Sequence, residues 1–192
     1  MSAHAPALAA LGVPESARPG LAAYLDLLAA WSQRVNLTGA RTPEQRVQVL
    51  VADPLRAAAL PEPGLLLDVG SGNGSPGLVL GLLRPELSVV LLEPRARRWA
   101  FLREAARVAG RPEIQVLRQR HDAYAGRPAQ TLTLRGLALP LGQLAALVAP
   151  SGLVLAFGGA PAPQPPFARE AQYELGSGWL HVFRRVPPGC ST

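Results

Sequence analysis

Ten residues carry the densest chemical signal in the chain: Asp68-Val69-Gly70-Ser71-Gly72-Asn73-Gly74-Ser75-Pro76-Gly77. Four glycines within eight positions exceed what a strand-to-helix turn requires. Without Cβ atoms a backbone can turn sharply and approach a ligand closely. The dinucleotide fingerprint places its third glycine at the sixth position, where this chain has Ser75; no Gly-Lys-Ser/Thr follows to cradle phosphates. A second candidate, Glu93, ends the next apolar run, 23 residues after Gly70. In open α/β sheets ligands bind outside the carboxyl ends of the strands. A carboxylate there can accept charged hydrogen bonds from both hydroxyls of a ribose. The alternative for Glu93 is a loop acid that offsets neighbouring arginines.

The elements around these residues follow from periodicity. Leu65–Val69 and Ser88–Glu93 are short apolar runs, hence buried strands. Pro76–Leu83 reads as a helix. Arg95–Ala109 is another, with Trp99, Leu102, Ala106 and Ala109 on one face. Strands at Ile114–Leu117, Thr131–Leu134 and Leu153–Phe157 and a helix over Leu139–Ala149 complete an alternation that predicts an α/β fold with a parallel sheet covered on both faces. Pro161–Pro166 is a linker, and two last strands near Ala171–Leu175 and Leu180–Val186 should pair antiparallel. Upstream, residues 1–16 read as loosely held. Leu21, Tyr24, Leu25, Leu28, Trp31 and Val35 form one helical stripe. Thr42-Pro43-Glu44-Gln45 is a capping box opening a helix toward Leu60, with Pro54 as a kink or break.

Composition narrows the classes. The chain has 192 residues, 48% of them hydrophobic, which suits one domain with a sizeable core and excludes wholesale disorder. All nineteen basic residues are Arg, against thirteen acids, a net +6 that permits attraction to phosphate without requiring it. One cysteine, Cys190, excludes an internal disulfide framework, and His4, His121 and His181 are too scattered for a His-rich metal cluster. No metal is expected. Gly142–Ala160 is the longest apolar stretch, but Pro150-Ser151-Gly152 splits it, so no membrane span is expected. Without a signal peptide pattern, a soluble cytoplasmic protein is the expectation.

The Gly-x-Gly-x-Gly spacing resembles the loop of class I S-adenosylmethionine-dependent methyltransferases. The likeness extends to Trp31-x4-Asn36-Leu37-Thr38, Asp53, Asp68–Gly77 with its Pro-Gly ending, Leu92-Glu93 and Phe101-Leu102. Together these resemble the RsmG/GidB family over residues 20–158. The resemblance implies a Rossmann-like, seven-stranded sheet, with residues 1–60 as a helical extension and 61–192 as the methyltransferase domain. It implies methyl transfer from S-adenosylmethionine to N7 of a guanine in small-subunit (16S) ribosomal RNA, the RNA or the small ribosomal subunit being the partner. Cofactor contacts are then expected from Gly70, Gly72, Gly74, Ser75, Glu93, His121, Asp122 and Arg135; no catalytic residue is assigned.

The chain departs from the family pattern at Gln130, Leu134, Gly136, Gly158-Gly159 and Ser177–Leu180, mostly on the substrate side. Two rival readings therefore stay open: a methyltransferase of this fold with another substrate, and a non-catalytic cofactor- or RNA-binding relative. Arg95, Arg97, Arg98, Arg103 and Arg107 either track a phosphate backbone or form a solvated helix face. Trp31 either stacks a base or packs in the core. His121 is a weak candidate for acid–base work, and Arg135 is a candidate partner of Asp68. Guanine N7 has a free lone pair at neutral pH, so the reaction needs alignment and no general base.

Overall fold

A computed structural model describes residues 2–159 and 161–187. Cys190 lies outside the described residues. The sheet has seven strands: β1 Leu65–Val69, β2 Ser88–Leu92, β3 Gln115–Leu117, β4 Ala129–Arg135, β5 Val148–Phe157, β6 Phe167–Leu175 and β7 Gly178–Arg185. Their spatial order is β3-β2-β1-β4-β5-β7-β6. The first five strands are parallel, and β7 runs antiparallel to β5 and β6. The order reverses between β1 and β4, a topological switch point where open α/β sheets form a ligand crevice.

Alternation along β1 sends Leu66 and Asp68 to one face and Leu65, Leu67 and Val69 to the other. The first face is covered by α-helices: α1 Ala5–Ala10, α2 Arg18–Trp31, α3 Pro43–Leu50, α4 Ala52–Arg56, α5 Gly77–Leu83 and α6 Ala96–Val108. One core joins Leu8, Leu21, Leu25 and Leu50 from the N-terminal helices to Leu66, Leu91 and Phe101. The loose hold expected of residues 1–16 is not what residues 2–16 show: Leu8 and Val13 are fully buried, because each fills a gap in this core.

The second face is covered differently from expectation. Leu141–Leu147 is a 3₁₀ helix, not an α-helix. Its buried residues Leu141, Leu144 and Leu147 recur every third position, and a 3₁₀ helix aligns residues i and i+3. The helix toward Leu60 breaks at Val51, three residues before Pro54. Pro54 has no N–H for the Leu50 carbonyl four residues back; the Ser75 hydroxyl donates to that carbonyl instead, at 2.7 Å. The capping box forms as read, Thr42 Oγ1 accepting from the Gln45 N–H. No described helix is long and apolar enough to cross a membrane.

Candidate active site

The glycine loop is held from two sides. On the sheet side, the Gly70 and Ser71 N–H groups donate to the Leu92 carbonyl at 2.9 and 3.0 Å, tying the end of β1 to the end of β2. Glu93, 3% exposed, accepts from the Gly72 N–H at Oε2 (3.0 Å) and from the Arg95 N–H at Oε1 (2.8 Å). On the helix side, Tyr24 Oη donates to the Asn73 carbonyl (2.8 Å) and Asn73 Nδ2 donates to the Leu37 carbonyl (3.0 Å). Burial pushes the Tyr24 phenol far above its ordinary range, so it stays a donor. The Asn36-Leu37-Thr38 motif therefore acts through its backbone as a buttress: Arg98 also donates to the Asn36 carbonyl, at 3.2 Å.

Between the carboxyl ends of β1, β2, β3 and β4 lies a cavity of about 390 Å³. Gly70, Glu93, His121, Arg135 and Leu137 are on its wall, with Arg95, Arg98 and Arg120 at its edge. Gly70 has φ +71°, a conformation that L side chains rarely adopt. Leu137, on the loop after β4, lies directly over it, so that a Cβ on Gly70 would come within 2.5 Å of the Leu137 Cδ1. The second cavity, about 500 Å³, runs between the ends of β4 and β5 and shares Gly136, Leu137 and Leu139 with the first.

The expected site residues separate in space. Gly70, Glu93, His121 and Arg135 converge on the cavity. Gly72 stands behind it, bound to Glu93. Gly74 packs toward Leu78 and Tyr24, and the Ser75 hydroxyl is buried between the Leu50 carbonyl and Arg135. The Asp122 carboxylate is exposed and pairs with Arg120 at 3.2 Å.

Arg135 is not the partner of Asp68. Its guanidinium reaches Ser75 Oγ (3.1 Å), Asp53 Oδ2 (3.3 Å) and Ser177 Oγ (3.0 Å), and Ser177 in turn donates to Asp53. Strand register explains the exchange. Asp68 sits opposite Thr133, which donates to its Oδ1 at 2.6 Å, and Arg135 lies two residues further along β4, beyond the end of β1 and opposite Phe157 of β5. Asp68 Oδ2 has no hydrogen-bond partner among the described residues, and burial, partly offset by the Thr133 hydroxyl, raises its pKa to about 6. Asp53, 2% exposed, is the functional neighbour that residue types alone did not assign; only its place in the motif marked it.

Trp31 is half-buried, its ring 5.7 Å from that of Phe101, so it packs on the core while one side stays on the surface.

The cavity suits a nucleoside ligand with charged ends: a glycine floor without side chains, a buried carboxylate for a diol, and guanidinium groups for an anionic terminus. A family model described as rRNA small subunit methyltransferase G (GidB) matches residues 18–173. The protein of that name from Halorhodospira halophila is 37% identical over 143 residues, covering 72% of this chain and 68% of its own. Its namesake from Stenotrophomonas maltophilia K279a is 34% identical over 186 residues, covering 94% and 84%. Among solved structures, an RNA methyltransferase from Salinibacter ruber in complex with S-adenosyl-L-homocysteine superposes with a TM-score of 0.60 at 17% identity, over 73% of this chain and 94% of that one; this likeness speaks for the class I methyltransferase fold. With a family model spanning most of its length and relatives above 30% identity, the chain belongs to the GidB family of rRNA small subunit methyltransferases.

Proposed function

We propose that this chain transfers a methyl group from S-adenosylmethionine to N7 of a guanine in small-subunit ribosomal RNA, in the cytoplasm where the subunits are assembled. The observation that carries the reading is the buried Glu93 carboxylate facing a cavity floored by the positive-φ Gly70. Each carboxylate oxygen already takes one backbone N–H, and each retains a lone pair for a ribose hydroxyl. His121 and Arg135 line the same space. We read residues 1–60 as the extension that clamps the loop and 61–192 as the transferase domain.

The cofactor, when bound, supplies an activated methyl on a sulfonium. What the protein adds is alignment. Methyl transfer is an in-line displacement, so the accepting base must lie beside the cofactor; the second cavity, sharing Gly136, Leu137 and Leu139 with the first, is the adjoining space. Exposed Leu137 offers an apolar surface to a flat ring there. N7 keeps its lone pair at neutral pH, so no base is required, and among the described residues the three that both cavities share, Gly136, Leu137 and Leu139, carry no basic side chain.

The reading is tested by calorimetry with S-adenosylmethionine and by methyl incorporation into 30S particles from a strain lacking the enzyme, followed by mapping of the modified base. Binding with incorporation at guanine N7 is expected. Incorporation elsewhere would reassign the substrate, and binding without incorporation would make the chain a non-catalytic relative.

A further inference from the structure

The arginines of α6 divide once their partners are known. Arg107 is held by Glu104 at 2.6 Å, and Arg103 lies 5.0 Å above the Trp99 ring, both well along the helix. Arg95, Arg97 and Arg98 cluster at its start. Neither they nor Arg34, just beyond the end of α2, form an ion pair among the described residues. No acidic residue stands in the first turn of α6. The N-terminal end of a helix dipole is positive and favours acids, so arginines there add to a positive potential at some cost in stability.

Arg95 and Arg98 border the cofactor cavity. Exposed Arg97 turns to a separate groove of about 660 Å³, whose other walls are Ala30, Trp31, Gln33, exposed Arg34 and Val35. Trp31 packs on Phe101 on one side and lines this groove on the other. The groove thus combines an aromatic surface with two guanidinium groups that form no ion pair among the described residues, and Arg97 is the chain neighbour of Arg98, which borders the cofactor cavity. Single-stranded nucleic acid matches both features: phosphates neutralise guanidinium groups, and a base covers an aromatic surface.

We propose that the groove formed by Trp31, Arg34 and Arg97 docks a single-stranded RNA segment flanking the methylated guanine. The proposal rests on the rRNA reading above and assigns a binding surface outside the two cavities. An acidic segment of a ribosomal protein is the competing occupant.

The test is equilibrium binding of wild type and variants to 30S particles and to protein-free 16S rRNA, both from a strain lacking the enzyme, over a salt series. The double variant Arg34→Ala/Arg97→Ala should bind both probes about tenfold more weakly at low salt. The slope of log K against log salt should become shallower by about 1.4, two phosphates at about 0.7 each. Trp31→Leu should weaken binding with the slope unchanged. All variants should keep wild-type affinity for S-adenosylhomocysteine, which shows that they fold. Wild-type binding and slope in the double variant would overturn the proposal. A loss confined to 30S particles, absent with protein-free rRNA, would also overturn it in favour of the protein segment. Methyl transfer by the wild type is scored separately, so failure of the rRNA reading shows as absent transfer and failure of the docking surface as unchanged binding.

Discussion

Glu93 performs two tasks with one carboxylate: it fixes the glycine loop through Gly72 and its own connection through Arg95, and it faces the cofactor cavity. Glu93→Ala should weaken S-adenosylmethionine binding by about 1.5–3 kcal/mol, the worth of hydrogen bonds to a charged acceptor. Calorimetry checks this; unchanged affinity would place the ribose elsewhere. Asp68 makes a different prediction. Its folded pKa of about 6 lies above the unfolded value of about 3.9. Between these values the folded chain holds the proton more tightly, so its contribution is stabilising in acid and is lost as pH rises from about 4 to about 6. Relative to Asp68→Asn, the wild type should lose on the order of 3 kcal/mol between pH 4 and pH 7. Urea titrations across that range would show it, and a constant difference would mean that the carboxyl titrates normally. The spacing of Gly70 and Glu93 was readable along the chain because both end buried strands. The partner of Arg135 was not, because Asp53 lies 82 residues away.

Where α5 begins, the backbone lies against β1. A Cβ at Gly77 would meet the Asp68 side chain at 2.4–2.6 Å. Contacts this short force the helix away from the strand. Gly77→Ala should cost about 1–3 kcal/mol, the range for overpacking, and should lower cofactor affinity by moving the loop that precedes the helix. Thermal unfolding and calorimetry measure the two effects, and an unaltered variant would mean that strand and helix can part freely. Periodicity served well for the long elements: the capping box of α3 formed as read, the α2 stripe formed from Leu21 to Trp31 with Val35 beyond the helix end, and every strand that was read exists, although β5 begins at Val148 and β6 at Phe167, earlier than the apolar runs suggested. The helix read over Leu139–Ala149 is shorter, Leu141–Leu147, and of the 3₁₀ kind, whose sign is leucines every third residue; Val148 and Ala149 already belong to β5. Periodicity also placed the break before α4 at Pro54, although the chain bends at Val51, in a segment that Ser75 from another part of the fold completes.

Across the whole molecule, the N-terminal segment is part of the core that supports the site. Leu8 on α1 is fully buried in the cluster that includes Leu21, Leu66 and Phe101. Leu8→Ala should destabilise the protein by about 2–5 kcal/mol, measurable by urea denaturation. An effect near zero would mean that α1 is dispensable to the fold. Ala- and Pro-rich residues 1–16 looked like a loose terminus because composition reports average solubility, whereas burial depends on whether a surface exists to receive two or three apolar side chains. The opposite face of the sheet has its 3₁₀ helix, and a Pro-rich connection leads into the edge strand β6, whose exposed positions carry Arg169, Glu170 and Glu174. Charges on such an edge oppose pairing with other chains. By itself the sequence determined the alternation of strands and helices, the glycine loop and the acid after the second strand, because these depend on local periodicity and on residues near one another in the chain. Only the tertiary structure decided which of the candidate residues face the cavity, which side chain answers each buried charge, and which arginines form no ion pair among the described residues. Those outcomes depend on strand register and helix packing, which bring together groups dozens of residues apart.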